Sequence, residues 1–509
     1  MVEPAVSIPR IHPDLSVKKG TSDNPIDQIR NRRSQELVIG LCGAIGSGIK
    51  SLKNTLITQL TAHGYHVETI RLSELISEKF PSELILTGYD RYEQLQNLGD
   101  QLRSEYSNDI VAALAVTRIT ILREALFGDE KTNTNIVKVT KKVAYIIDQL
   151  KHPDEIELLK EVYRNNFYLI GLLRTEAERK ANLKDEGITE PDTTSLIERD
   201  RKATEKNGQQ VEDSLYKSDY FIRNIDVAEK IGKSVERFIK LVHGTDIITP
   251  TNDEIGMYAA QSAALRSACL SRQVGAAITD EYGIVLSTGC NDVPKFGGGL
   301  YNSESEADKR CFNYGNKECH NDKHKKLLKN EIEKILNKNG VDNAQKISEE
   351  ILKQSKAKSL IEYSRAIHAE MDAITALARS TTNSTQGKTL YCTTYPCHIC
   401  ARHIVAAGIL RVVYIEPYEK SLALQLHGDT ICHPDNITNV EKVLFENFEG
   451  VSPQRYAKFF SYNQKRKDLS GNLIPHTVME SGHVDPQYLD SYGDYELAVV
   501  RSIKQKFPE

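Results

Sequence analysis

Apolar residues are unevenly spread along this chain, and their spacing changes character several times. Leu37-Val38-Ile39-Gly40-Leu41 is a short apolar run that leads straight into Gly43-Ala44-Ile45-Gly46-Ser47-Gly48. Such a run, closed by glycines, reads as a buried strand entering a tight loop. Leu52, Leu56 and Leu60 then recur at helical spacing, so the loop opens a helix. Further strands are predicted at 66–70, 143–147 and 167–173. Strands alternating with helices imply a parallel sheet covered on both faces. Residues 175–215 are highly charged. They fit a lid over a bound nucleotide or a solvated helical hairpin equally well. Residues 245–252, with Pro250, read as a linker.

The pattern restarts near Asp253. Apolar residues at 274–278 and 284–287 flank Asp280-Glu281-Tyr282-Gly283, which predicts a hairpin. Residues 296–360 read as an insertion carrying two short helices, broken at Asn339-Gly340. A helix over 359–380, a strand over 389–394, a helix over 397–407 and a strand over 411–415 complete this unit. The expected organisation is a flexible arm (1–35), a nucleotide-binding domain (36–245), a second α/β domain (253–463) and an unassigned tail (464–509).

Composition narrows the class. The 509 residues are 39% hydrophobic and 27% charged, with a net charge of −4. That balance suits a soluble globular protein of several domains. It speaks against a dedicated nucleic-acid binder, as does the absence of Trp. No run of 18 apolar residues suggests a membrane span, and the first 33 residues lack the apolar core of a secretory signal. Nine cysteines, seven of them between 269 and 400, fit reduced thiols around a metal in the cytoplasm better than a disulfide framework.

The most specific chemistry lies in His368-Ala369-Glu370 and Pro396-Cys397-His398-Ile399-Cys400. Together they fit the H-x-E…P-C-x-x-C signature of zinc deaminases. Two cysteines three apart at a helix start can face one metal, and the helix N-terminus favours their thiolates. His368 supplies a third ligand, and three protein ligands leave one tetrahedral position for water. Glu370 is the expected proton shuttle. The competing reading is a structural zinc with a fourth protein ligand. His398 and His403, on the same helix, read as packing or surface residues.

Residues 367–417, with His368-Ala369-Glu370 and Thr393-Thr394-Tyr395-Pro396-Cys397-His398-Ile399-Cys400-Ala401, resemble the deoxycytidylate deaminase family. Residues 271–278 and 287–294 resemble that family's opening hairpin, although Cys290 and Asp292 stand where its members tend to carry Tyr and Gly. Residues 417–427 and 448–451 resemble the longer anti-phage dCTP deaminases, which place a P-loop kinase-like domain first. The resemblance implies a P-loop NTPase-like parallel sheet followed by a cytidine-deaminase-like α/β/α sandwich. It implies conversion of dCTP and dCMP to dUTP and dUMP, draining a pool needed for phage DNA. A homo-oligomer is implied too, with a nucleotide, RNA or protein as regulator. Asn291 matches a deoxyribose contact, Arg272 and Lys420 are cations suited to phosphate, and Tyr418 is a neighbour for the base. A housekeeping dCMP deaminase and a polynucleotide cytidine deaminase are the alternatives.

Two further groups carry weaker signals. Cys311, Cys319, His320 and His324 could hold a second zinc. With Lys323, Lys325 and Lys326 nearby, an effector or phosphate site is the other use. The glycine loop Gly43, Gly46, Ser47, Gly48, Lys50, Ser51 is Walker A-like, with Ile49 between Gly48 and Lys50. One extra helical residue turns the lysine by about 100°. Backbone N–H groups can still cradle a phosphate, and Asp148 is the candidate for magnesium. Nucleotide binding without efficient phosphoryl transfer is the expectation.

Overall fold

The structure is a computed structural model. It describes residues 25–506 apart from 31, 82–85, 128–140, 202–207, 224–227, 356, 358–359, 361–362, 381–382, 417, 419–420, 435–440 and 462–463. Two six-stranded sheets organise these residues.

The first sheet contains β1 (Glu36–Gly43), β2 (His66–Arg71), β3 (Val143–Asp148), β4 (Phe167–Leu173) and β5 (Tyr220–Arg223). These run parallel in the order β5-β4-β1-β3-β2. β1 and β4 are buried along their whole length, as expected of strands covered on both faces. The glycine loop leaves the C-terminal end of β1, where neighbouring strands β3 and β4 diverge to opposite sides. Crevices of open α/β sheets form at such points.

The second sheet contains β6 (Gly275–Thr279), β7 (Val285–Cys290), β8 (Thr389–Thr394), β9 (Arg411–Glu416), β10 (Ile431–Cys432) and β11 (Val443–Asn447). Its order is β10-β11-β9-β8-β6-β7, with β6 antiparallel to both neighbours. The β6–β7 hairpin turns where the pattern placed it. Asp280 Oδ1 accepts from Tyr282 N and Ile284 N, both at 2.9 Å. Gly289 of β7 permits close helix packing: a Cβ there would lie 2.3 Å from the Ala369 carbonyl oxygen and the Ala373 nitrogen. The helix that follows His368 therefore presses directly on the sheet.

The first unit does not end at the linker. A final strand, β12 (Gly450–Val451), pairs antiparallel with β5 on the edge of the first sheet. Val451, Phe459, Val478 and Val484 join the core between that sheet and the helices Ile49–Ala62 and Ala228–His243. Residues from about 448 onward, expected in the second domain and an unassigned tail, thus complete the first. The helix Asn252–Ala264 forms the seam. Thr251 and Glu254 cap it reciprocally, and the buried Glu254 carboxylate also takes Arg237 through two 2.7 Å bonds and Val451 N at 2.8 Å. Phe448 lies 5.9 Å from Phe221, ring to ring, in an apolar cluster shared by both sheets.

The insertion forms an antiparallel pair of helices, His320–Lys338 and Ala344–Gln354. The helix expected over 359–380 is shorter, Ala369–Ala378. Ile367 N donates to the Asp292 carbonyl at 3.0 Å, a bridge that keeps the chain extended through His368. Among the described residues, no helix is long and apolar enough to cross a membrane.

Candidate functional site

His368 is the extended residue before the helix Ala369–Ala378, and Cys397 caps the helix His398–Ala406. The Pro396-Cys397 turn places both cysteines in the first turn, where backbone N–H groups are free to stabilise sulfur charge. Cys400 N approaches Cys397 Sγ at 3.5 Å. His368 Nδ1 lies 3.3 Å from Cys397 Sγ and 3.4 Å from Cys400 Sγ. A tetrahedral zinc with ordinary Zn–S and Zn–N bonds separates its ligands by about 3.6 Å, so this donor set fits that ion. Among the described residues, it is the only group of three or more metal-type side chains gathered within 4.8 Å.

The surroundings favour a thiolate at Cys397. The hydrogen bond from Cys400, together with His368, brings the Cys397 thiol down to about 4. The imidazole of His368 is raised to about 9 by its bond to Cys397. Glu370 lies one residue inside the helix and is 4% exposed. Burial pushes its carboxyl above the usual range, against the pull of His368.

One cavity of about 180 Å³ opens on this centre. Its wall includes Arg272, Asn291, Asn321, His368, Glu370 and Tyr418. Asn291 is anchored at both ends of its amide: Nδ2 donates to the Arg272 carbonyl at 2.8 Å, and Oδ1 accepts from Val274 N at 2.7 Å. One N–H and one lone pair remain for a ligand. Arg272 donates to Thr394 Oγ1 at 2.6 Å and is ion-paired with Glu416. Lys420 lies outside the described residues. Cys290 and Asp292 are both buried. Cys290 N donates to the Asp372 carboxylate at 3.1 Å, and Asp292 accepts from Ala268 N at 2.9 Å, so both fix the loop that carries Asn291.

The four residues considered for a second zinc are not drawn together into a comparable group. Cys319 instead lines the cavity, and the exposed His324 stacks on Tyr363 at 5.3 Å. Asn321 and Asp322 line the cavity beside Cys319. Sequence reasoning missed them, because an insertion of polar helix carries no motif. Its one available signal was their place at a helix start, next to a cysteine already singled out.

The glycine loop has a different surrounding. Gly46 and Gly48 adopt positive φ (77° and 81°), and Gly48 caps the helix Ile49–Ala62. Ser47 is buried, while Lys50 and Ser51 are exposed. Lys53, overlooked in the sequence, reaches Asp148 Oδ2 at 2.5 Å. Lys53 shares the buried stripe with Ile49, Leu52, Leu56 and Leu60, and that spacing was the legible clue. The charged stretch packs over the loop as the helices Glu176–Asp185 and Glu190–Arg201. Leu183, Ile188, Leu196 and Ile197 bury Ile45. Asp200, 1% exposed, accepts from Ile45 N at 2.6 Å and from Lys151 Nζ at 2.7 Å. Arg179 Nε donates to the Ile45 carbonyl at 2.9 Å, and Asn182 Nδ2 to that of Gly46 at 2.8 Å.

Comparison with known proteins bears on the second unit. Residues 250–416 match the family described as the cytidine and deoxycytidylate deaminase zinc-binding region. The chain is 46% identical over 55 residues to the deoxycytidylate deaminases of Enterobacteria phages T2 and T4. That stretch is 11% of this chain and 29% and 28% of those enzymes, so less than a third of their length is spanned. Among solved structures, a dCMP deaminase from cyanophage S-TIM5 in complex with dCMP and dUMP is similar at 20% identity. The match covers 39% of this chain and 98% of that one at a TM-score of 0.23. Its apo form gives 18% identity, 39% and 99% coverage, and a TM-score of 0.22. The family match contains His368, Glu370, Cys397 and Cys400 and excludes the glycine loop. The similarity to the cytidine and deoxycytidylate deaminase zinc-binding region is thus confined to residues 250–416, which carry the donor set.

Proposed function

We propose that the chain is a zinc-dependent hydrolase that deaminates deoxycytidine nucleotides, dCMP or dCTP, to the uracil products. The carrying observation is the His368–Cys397–Cys400 donor set beside buried Glu370, in the cavity that Asn291 lines. A zinc ion held by these three residues supplies an acidified water, activated near neutral pH. Asn291 and Tyr418 hold sugar and base, with Arg272 and Lys420 as the phosphate cations. Glu370, closed off from solvent, moves the protons. It takes one proton from the attacking water and passes it to cytosine N3 as the C4–O bond forms, then takes the proton of the resulting C4 hydroxyl and passes it to the amine as the C4–N bond breaks. Cytosine and water thus become uracil and ammonia.

In the wider reading, this activity drains the dCTP pool as an antiviral defence in the cytoplasm, in a homo-oligomer. The N-terminal domain then acts as a P-loop kinase-like regulatory unit that binds nucleotide with magnesium near Asp148. RNA or a protein is the other regulator to screen. Lys50, exposed on the outer helix face, argues against phosphoryl transfer, and Asp200 must leave the Ile45 N–H for a phosphate to bind at the loop.

The test is a panel of dCMP, dCTP, CTP, deoxycytidine and a cytosine-containing oligonucleotide, followed by mass with the zinc-loaded full chain. Uracil product from dCMP or dCTP, absent in Glu370→Ala, is the expected result. Conversion of the oligonucleotide alone, or of nothing, overturns the proposal. ATP binding by calorimetry and mass by sedimentation address the regulatory and oligomeric parts.

A further inference from the structure

The helix Tyr492–Lys506 turns its large apolar side chains outward. Its inner side is held by other groups. Tyr495 sets its ring 5.8 Å from that of Tyr488, its hydroxyl accepts from Asp490 N at 3.1 Å, and Ser502 is buried. Just before the helix, Leu489 N donates to the Arg32 carbonyl at 3.1 Å, which ties this segment to the first domain. Leu497, Val499, Val500 and Ile503, by contrast, are 38–51% exposed. At about 100° per residue, these four share one arc of about 160°, turned away from Tyr495 and Ser502. A surface helix ordinarily points its apolar stripe at the core, and a contiguous apolar patch facing solvent marks an interaction site.

Charge on the same arc says what covers it. Glu496 and Lys504 both lie there and are exposed. Eight residues separate them, about 12 Å along the axis, too far for them to pair with each other. Their positions are symmetric about Val500. A two-fold axis through Val500, relating two antiparallel copies of the helix, sets Glu496 of one copy against Lys504 of the other. It also sets Leu497 against Ile503 and Val500 against itself. Parallel pairing would instead oppose like charges at both positions, so charge selects the antiparallel arrangement. We propose that this helix face docks on the same face of a second copy of the chain, in an antiparallel contact centred on Val500. The inference rests on the homo-oligomer of the reading above and gives it a contact surface; it uses no part of the deaminase chemistry.

The test is sedimentation velocity of the full chain over a wide range of concentration. Val500→Arg places a charge in the middle of the apolar contact and should weaken association by about thirtyfold or more. Glu496→Lys opposes two lysines and should weaken it by about three- to tenfold. Adding Lys504→Glu to Glu496→Lys restores opposite charges across the axis and should recover the wild-type association. All these positions are exposed, and thermal melting identifies a variant that fails to fold. Val500→Cys gives an independent readout: mild oxidation by copper–phenanthroline should yield a covalent dimer that the wild-type chain, with its native cysteines, does not form. A wild-type oligomer that none of these changes weakens, or that Glu496→Lys weakens without rescue by Lys504→Glu, overturns the inference and leaves the homo-oligomer standing. A wild-type chain that stays monomeric removes the homo-oligomer and this inference together, and dCMP turnover in the same sample tests the deaminase reading separately.

Discussion

Two loops in this molecule follow the same plan, a buried strand running into a turn that opens a helix. After β8, the turn at Pro396 and Cys397 leaves Cys397 on the wall of a cavity that Glu370 and Asn291 also line. After β1, the glycine loop is covered by its own chain, with Asp200 on the Ile45 N–H and Lys151 beside it. Both turns present helix N-terminal N–H groups, which attract negative charge. In the first, the charge is a thiolate on the turn itself. In the second, it is a carboxylate about 150 residues away in sequence, an internal stand-in for an external anion. A motif thus specifies the cradle but not what lies in it.

Removing Glu370, the proposed proton carrier of the open site, gives the largest expected effect. Glu370→Gln should lower kcat by about 10²–10⁴-fold, the range of general acid–base catalysis, with zinc content unchanged by metal analysis. Retained turnover would mean that the open turn is structural, and the contrast between the two loops would vanish. The covered loop has its own disruption. Asp200→Ala leaves Lys151 without its 2.7 Å partner at a site only 12% exposed, and should cost about 3 kcal/mol in urea unfolding. A cost near zero would show that the carboxylate is not what holds the cover down.

Acid should act on the first domain through a different pair. Tyr65 Oη lies 2.8 Å from His243 Nε2 and 3.3 Å from His483 Nε2, and His243 Nδ1 donates to the Ser481 carbonyl. Burial lowers His483 to about 3 and holds His243 well below its usual value; nearby Lys142 adds to both effects. In the unfolded chain both imidazoles take protons below about pH 6.5. There the unfolded state binds more protons than the folded one, so stability falls as pH drops from about 6.5 towards 3. The expected loss is about 2–3 kcal/mol per pH unit near pH 5, read from urea midpoints. His483→Phe should flatten that slope by about half. The smallest effect separates two lysines of one helix. Lys53→Ala strands the Asp148 carboxylate and should cost about 2 kcal/mol, while exposed Lys50→Ala should stay within about 0.5 kcal/mol.

Much of this was legible from residue spacing. Apolar runs located β1, β3, β4, the hairpin and β8 to β9, because buried strands leave nearly unbroken hydrophobic stretches, while the largely uncovered β2 was legible only from Val67 and Ile70. The donor set was legible because its ligands obey local helical geometry. What escaped depended on distant partners. β5 and β12 are short edge elements, and Gly450–Val451 is too brief to register as a strand at all. Asp200 and Lys151 look like ordinary surface charges until packing pairs them. Asn321 and Asp322 reach the cavity beside His368 through the placement of the insertion, which no local pattern encodes.

The β5–β12 pairing has a consequence for how this protein is made. The edge of the first sheet and side chains that fill its core, Val451, Phe459, Val478 and Val484, leave the ribosome after every strand of the second sheet. Until then Phe221 and Phe238 lack part of their covering. The second unit can close its own sheet earlier, since all six of its strands are synthesised by Asn447. Synthesis order and folding order are therefore reversed: the domain that begins the chain finishes after the domain inserted within it.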